Sequence, residues 1–132
     1  MEKKILRAQN HLDPVGKLSF AQLDLFEVKN IMLIPSMKWL EKRMPLFRSS
    51  ILKHGMKWPV VVTTDEYYWK ENWPIDEYGE KKKGMCVHTG NKRVLWAKEQ
   101  GYDLIEGYFV KSLQEKNEII YKTYIARTSW PQ

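Results

Sequence analysis

The sequence predicts an α/β or α+β fold: a small mixed sheet flanked by helices and interrupted by one aromatic-rich insertion. Three observations carry this reading. Two short β-rich runs, WPVVVTT and MCVHT, bracket a charged aromatic stretch; prolines and glycines punctuate the neighbouring segments where helices start and stop; and apolar residues elsewhere recur at helical spacing. A chain of 132 residues with 43% apolar content and 17 aromatics (6 Trp, 7 Tyr, 4 Phe) can bury one core, so a single domain is expected over residues 1–132.

The elements follow in order. Ser36 is placed to cap a short helix over MKWLEKR, which should end near Met44 because the residue before a proline avoids the helical region. Pro45 then opens a second helix running to His54, with Gly55 directly after it: proline suits the first helical position and glycine the position just past the end. WPVVVTT reads as a strand with Pro59 at its start, where a proline is tolerated. Residues from about 65 to 84 read as a long hairpin-like insertion closed by Gly79 and Gly84, and MCVHT returns as a strand beside the first. NKRVLWAKEQ, ending at Gly101, is a helix; YDLIEGYFVK is a strand. Ser112-Leu113-Gln114-Glu115 matches a capping box and opens a last helix that carries Leu113, Ile119, Ile120, Thr123 and Tyr124 as far as Arg127. The expected order is strand, helix, strand, insertion, strand, helix, strand, helix.

Several function classes are disfavoured. No apolar run approaches the roughly 18 residues of a membrane span, and MEKKILRAQNHLD lacks the apolar stretch of a secretory signal, so a cytoplasmic protein with no membrane partner is expected. One cysteine, Cys86, cannot form an internal disulfide, and three scattered histidines give no zinc spacing. The net charge of +6 favours anionic partners. Its distribution is uneven: six acids and four lysines make residues 65–84 net −2, which leaves +8 on the remainder.

The most informative stretch is His88-Thr89-Gly90-Asn91-Lys92-Arg93, where a strand turns through glycine directly into a helix. A helix N-terminus offers unpaired N–H donors and partial positive charge, and glycine lets backbone approach closely. Lys92 and Arg93 sit at the end of the helix where cations are unfavourable, which a nearby anion would explain. The plainer alternative is a tight turn with two solvated bases. His88 reads either as a base or phosphate contact or as a structural strand histidine. For Glu115 and Glu118 a capping box and a solvated helix face suffice. Tyr67, Tyr68, Trp69, Trp73 and Tyr78 could stack on bases, but the acidic insertion opposes a phosphate backbone, so a clamp over the pocket or a protein-binding flap is at least as good a reading. Lys81-Lys82-Lys83 reads as a solvated loop tip.

Around this turn the chain resembles the N-terminal domain of ParB and the related sulfiredoxin fold, over roughly Pro45 to Arg127. In that family a helix and a "G-x-x-x-P-(I/V)-x-V" segment lead into a strand; here SSILKHGMKWPVVV supplies Ser50, Ile51, Gly55, Pro59, Val60 and Val62. The second family box is a "G-x-x-R" turn and a helix with an early alanine and a closing glycine, matched by Gly90, Asn91, Lys92, Arg93, Ala97 and Gly101. The resemblance implies a DNA-associated nucleotide-binding domain taking CTP or ATP with Mg²⁺. It implies a nucleotide site built from Gly55, Pro59, Thr89, Gly90, Asn91, Lys92, Arg93 and Arg127, with His88 beside it. NTPase activity or metal-dependent DNA cleavage, as in ParB-like nucleases, is the corresponding enzymatic expectation, and short stand-alone relatives are often encoded by phages and mobile elements.

The departures are specific. A sulfiredoxin has its cysteine directly after the turn glycine, where this chain has Asn91, so sulfiredoxin chemistry is not expected. The acid and first arginine of the ParB "G-E-R-R" turn are Asn91 and Lys92 here, and the "E-N-x-x-R" box falls on Thr123, Tyr124 and Arg127, keeping only the arginine. The sequence ends at Gln132 without a helix-turn-helix or dimerisation domain, so partition-complex spreading by this chain alone is not expected. The second expectation is therefore a non-catalytic DNA- or protein-binding adaptor that keeps the fold without nucleotide turnover, with the 65–84 insertion as a protein-binding surface.

Overall fold

The structure, a computed structural model, describes residues 2–10, 23–34, 38–64, 72–111, 114–115, 117–119 and 121. Among these, six strands form one mixed sheet: β1 (Ile5–Leu6), β2 (Leu23–Glu27), β3 (Ile31–Met32), β4 (Val60–Thr63), β5 (Met85–Thr89) and β6 (Leu104–Val110). Helix α1 (Lys38–His54) joins β3 to β4, and α2 (Asn91–Glu99) joins β5 to β6. This is the mixed sheet with flanking helices that the sequence predicts.

β6 is the hub. It runs parallel to β4 from Val60↔Gly107 to Thr63↔Val110, parallel to β1 at Ile5↔Leu104 and Leu6↔Ile105, and antiparallel to β2 from Leu23↔Tyr108 to Glu27↔Leu104. Because β2 spans residues paired with both β1 and β4, it must occupy one side of β6 while β1 and β4 share the other end to end. Gly107 makes this junction close: a Cβ there would stand 2.8 Å from the Val60 carbonyl oxygen. β4 and β5 pair antiparallel, as the bracketing of the insertion suggests, and β3 lies parallel to β5 at the far edge. The upstream part departs from the expected order, since three strand pieces precede α1 rather than one. β1 and β3 are two residues each, too short to show a period of two.

Alternation along the central strands sends side chains to two cores. Val60, Val62, Ile105 and Phe109 face the larger one, with Met44 and Ile51 of α1 and Val94, Trp96 and Ala97 of α2. Val61, Tyr108 and Val110 face the smaller one, closed by Trp58, Leu23 and Ile119. With both faces covered, all four residues of β4 are buried, and each such valine contributes about 1.5–3 kcal/mol through burial. The last helix is seen at residues 114–115, 117–119 and 121, where Glu115 accepts from the Lys111 backbone N–H at 2.6 Å. Its acid thus reaches back to the chain before the helix, one residue earlier than a standard capping box would place it.

One sequence expectation is corrected. The segment around Pro45 is not two helices but a single 17-residue helix with the proline inside it. Met44, Phe47 and Ile51 recur at helical spacing across Pro45 and pack on the large core, so burial holds the helix together through the missing N–H. Pro45 itself is exposed, where water can satisfy the carbonyl it leaves without a donor. α1 stops as expected, with Gly55 at φ +75° donating its N–H to the Ile51 carbonyl at 2.8 Å. α2 ends in a Schellman arrangement: Tyr102 N–H to Ala97 O at 3.0 Å and Gly101 N–H to Lys98 O at 3.3 Å.

Within the insertion, residues 72–84 form a compact turn. The Asp76 carboxylate accepts from the backbone N–H groups of Tyr78 (2.8 Å) and Glu80 (3.0 Å), Lys82 N–H bonds to Pro74 O, and Ile75 bridges Lys81. Trp73 is not presented for stacking: its ring is buried in the large core, and its Nε1–H donates to the Lys82 carbonyl at 2.8 Å. Tyr78, by contrast, is 83% exposed. Tyr67, Tyr68 and Trp69 lie outside the described residues. No helix among the described residues is long and apolar enough to cross a membrane.

Two predictions follow from these elements. Pro45→Ala should raise unfolding free energy by about 1–3 kcal/mol in urea titration, because alanine restores a helical N–H and outweighs proline's entropic advantage; no gain would mean the helix begins at Pro45. Cys86 is fully buried on β5, and burial pushes its thiol from 9.0 up to about 12. The native state then keeps a proton that the unfolded chain releases above pH 9, so Cys86 should make stability fall as pH rises from 9 towards 12. Comparing unfolding across that window with Cys86→Ala should show a shallower fall in the variant; identical slopes would refute the assignment.

Candidate functional site

The candidate site forms where β5 ends. The β4–β5 register shifts between Val61↔Thr89 and Val62↔Val87, leaving His88 as the extra residue of a bulge. Cys86, Val87 and His88 are buried in succession. His88 Nδ1 lies 3.1 Å from Thr89 Oγ1. Immediately afterwards Gly90 adopts φ +112°, ψ +31° and becomes the N-cap of α2, with no side-chain cap hydrogen bond. A φ so positive is outside the range of L side chains, and any Cβ would stand 2.8 Å from Val60 Cγ1 and 3.0 Å from Arg93 Nη2. The strand-to-helix glycine is thus required twice, by its dihedral and by its closeness to β4.

The side chains of the first turn are engaged inside the fold. Asn91 Oδ1 accepts from the Ile34 N–H at 3.3 Å, tying α2 to the segment after β3. Lys92 Nζ stands 5.5 Å from the centroid of the Phe47 ring on α1, a cation–π contact. Arg93 Nη1 donates to the carbonyls of Trp58 (2.6 Å) and Pro59 (2.8 Å). These last bonds bring together two stretches more than thirty residues apart, the lead-in to β4 and the Gly90 turn.

Of the residues singled out from sequence, Pro59, Thr89, Gly90, Asn91, Lys92 and Arg93 therefore gather around one junction, with buried His88 behind it. Gly55 has a different immediate surrounding: it ends α1 against Gln9, whose Nε2 would stand 2.8 Å from an added Cβ and donates to the His54 carbonyl. Arg127 lies outside the described residues. Two neighbours of the junction, Ile34 and Phe47, carry no sequence signal for this role, because a backbone N–H and a packing ring are not advertised by residue type, whereas Trp58 and Val60 fall in the Gly55-to-Val60 segment that the family resemblance singles out. Only the lysine in the first turn hints that something must lie opposite it.

The junction can receive an anion in one respect and lacks donors for a metal in another. The opening turn of α2 offers N–H groups at the positive end of its dipole, while the space beside Gly90 itself is taken by Val60 and Arg93. Residues 88–93 contain no carboxylate, and among the described residues no three His, Cys, Asp or Glu side chains gather to hold a metal. Mg²⁺ does not fit here as a protein-held ion.

Comparison with known proteins adds no identity: no protein-family model matches the chain, and no curated protein matches it.

The Gly90 geometry gives a direct test. Gly90→Ala should lower unfolding free energy by on the order of 1–3 kcal/mol or more, combining backbone strain with the Val60 clash. Gly79→Ala, also at positive φ but with nothing within 4 Å of the new methyl, should cost only the backbone part. Equal losses in urea titration would show that close packing at Gly90 is unimportant.

Proposed function

We propose that the chain is a DNA-associated, ParB-like nucleotide-binding domain of the cytoplasm, in which the Gly90 turn receives the phosphates of CTP or ATP. The observation that carries this reading is the uncapped start of α2 at a sterically required glycine, held against the Trp58–Pro59 segment by Arg93. The two stretches that resemble the family's boxes are the two that Arg93 joins. In this reading the opening amides of α2 bind phosphate oxygens, and Lys92, positioned by Phe47, supplies the nearby positive charge. Arg93 acts mainly by positioning, since Nη1 is committed to two carbonyls. A nucleotide would bring Mg²⁺ on its own phosphates, where the ion neutralises charge.

The second reading is the adaptor, which keeps the fold without nucleotide turnover. It draws on a specific observation: Asn91, Lys92 and Arg93 all have partners within the fold, so the turn is self-consistent without a ligand.

Calorimetric titration of CTP, ATP and GTP with Mg²⁺ separates the two. Saturable binding should weaken about tenfold or more in Lys92→Ala, the loss expected for one charge-assisted contact, with an unchanged circular dichroism spectrum. Lys92 is the better probe than Arg93, whose removal would also untie Trp58 and Pro59. Absence of binding by all three nucleotides would overturn the nucleotide reading and leave the adaptor.

A further inference from the structure

The outer face of α1 carries exposed cations. Lys42, Leu46, Ser49, Ser50 and Lys53 fall at i, i+4, i+7, i+8 and i+11, one side of the helix, with Arg43 at its margin; all are exposed, Leu46 by 80%. None of Lys42, Arg43 or Lys53 has an ion-pair or hydrogen-bond partner among the described residues. The acids lie elsewhere. Glu41 sits on the other flank of the exposed arc, the flank that two turns later carries Arg48, whose guanidinium is paired with Glu99 of α2 at 2.7 Å and 3.1 Å. Charge on this helix is therefore sorted: a flank with Glu41 and the Arg48–Glu99 pair, and a cationic stripe about 16 Å long at 1.5 Å per residue. Phe47, one turn after Arg43, carries Lys92 over its ring, which extends the positive surface towards α2.

We infer that this stripe of α1 is a docking surface for the phosphodiester backbone of duplex DNA. Lys42, Arg43 and Lys53 neutralise phosphates, and the Ser49 and Ser50 hydroxyls lie between them as neutral donors. Charge complementarity selects the partner: the remainder of the chain outside residues 65–84 is +8, and this face concentrates part of it on a rigid element. Backbone contacts of this kind position a protein without reading sequence. The surface is distinct from the Gly90 turn, and the inference stands whether or not a nucleotide binds there.

The test is fluorescence anisotropy of a labelled 25-base-pair duplex titrated with the full chain between 50 and 200 mM salt. The triple variant Lys42→Gln/Arg43→Gln/Lys53→Gln should remain folded by circular dichroism, because its side chains have no described partners. It should lower the slope of log affinity against log salt by about 2.7, equivalent to about 40-fold in affinity over that salt range. Lys81→Gln/Lys82→Gln/Lys83→Gln removes the same charge from the insertion and should change binding much less. Equal losses in both variants would overturn the proposal, since net charge alone would then explain binding. Preference for the single strand, or binding only to anionic phospholipid vesicles with loss in Leu46→Ser, would overturn it in favour of those partners; no DNA binding by the unmodified chain would overturn it outright.

Discussion

The guanidinium of Arg93 joins two stretches that the chain would otherwise leave apart. By donating to the carbonyls of both Trp58 and Pro59, it satisfies backbone acceptors that precede β4 and lie outside the sheet ladder. A buried carbonyl without a donor is costly, so this bond determines how β4 enters the sheet as well as where α2 begins. Its geometry demands a glycine at position 90, because Arg93 Nη2 and Val60 Cγ1 both crowd the space a Cβ would take. Bulge, glycine, helix start and arginine are one unit.

Around that unit the structure is held by burial on both faces of the sheet. The large core fixes α1 strongly enough to carry it through Pro45, and the small core brings Trp58 and Ile119 over the opposite face. The N-terminal segment is tied into the same sheet by a buried carboxylate: Glu106 of β6 accepts from the Ala8 N–H at 2.7 Å, with Arg7 at 3.5 Å. Lys98 completes a similar tie from α2, donating to the Val28 carbonyl at 3.0 Å while burial pulls its pKa down. The insertion is anchored by Trp73 and presents Tyr78 on a turn ordered by Asp76, which suits a contact surface better than a mobile arm.

The molecule carries two kinds of positive surface. At the Gly90 turn the charge is short-range and directional, made of backbone N–H groups and side chains already placed by contacts within the fold. On α1 it is long-range and side-chain based, without described partners. Under the proposed readings the first would receive a compact phosphate group and the second an extended polyanion; they lie on adjoining helices linked by Lys92 over Phe47.

Much of the fold was legible in the sequence because its signals are local. Glycine past a helix end, a β-branched run around a proline and a glycine between strand and helix each reflect steric limits that act within a few residues, and α2, β4, β5 and β6 followed from them. The short strands β1 and β3 were not legible, since two residues have no period and exist only by pairing with β6 and β5. Pro45 misled for the same reason in reverse: its local preference is to open a helix, and a stripe of buried side chains overrode it. At the candidate site, sequence alone determined the glycine turn and its basic residues. Only tertiary structure decided that Arg93 grips two distant carbonyls, that Asn91 serves Ile34, and that Trp73 is core, because hydrogen bonds to backbone and packing contacts depend on where the chain returns in space.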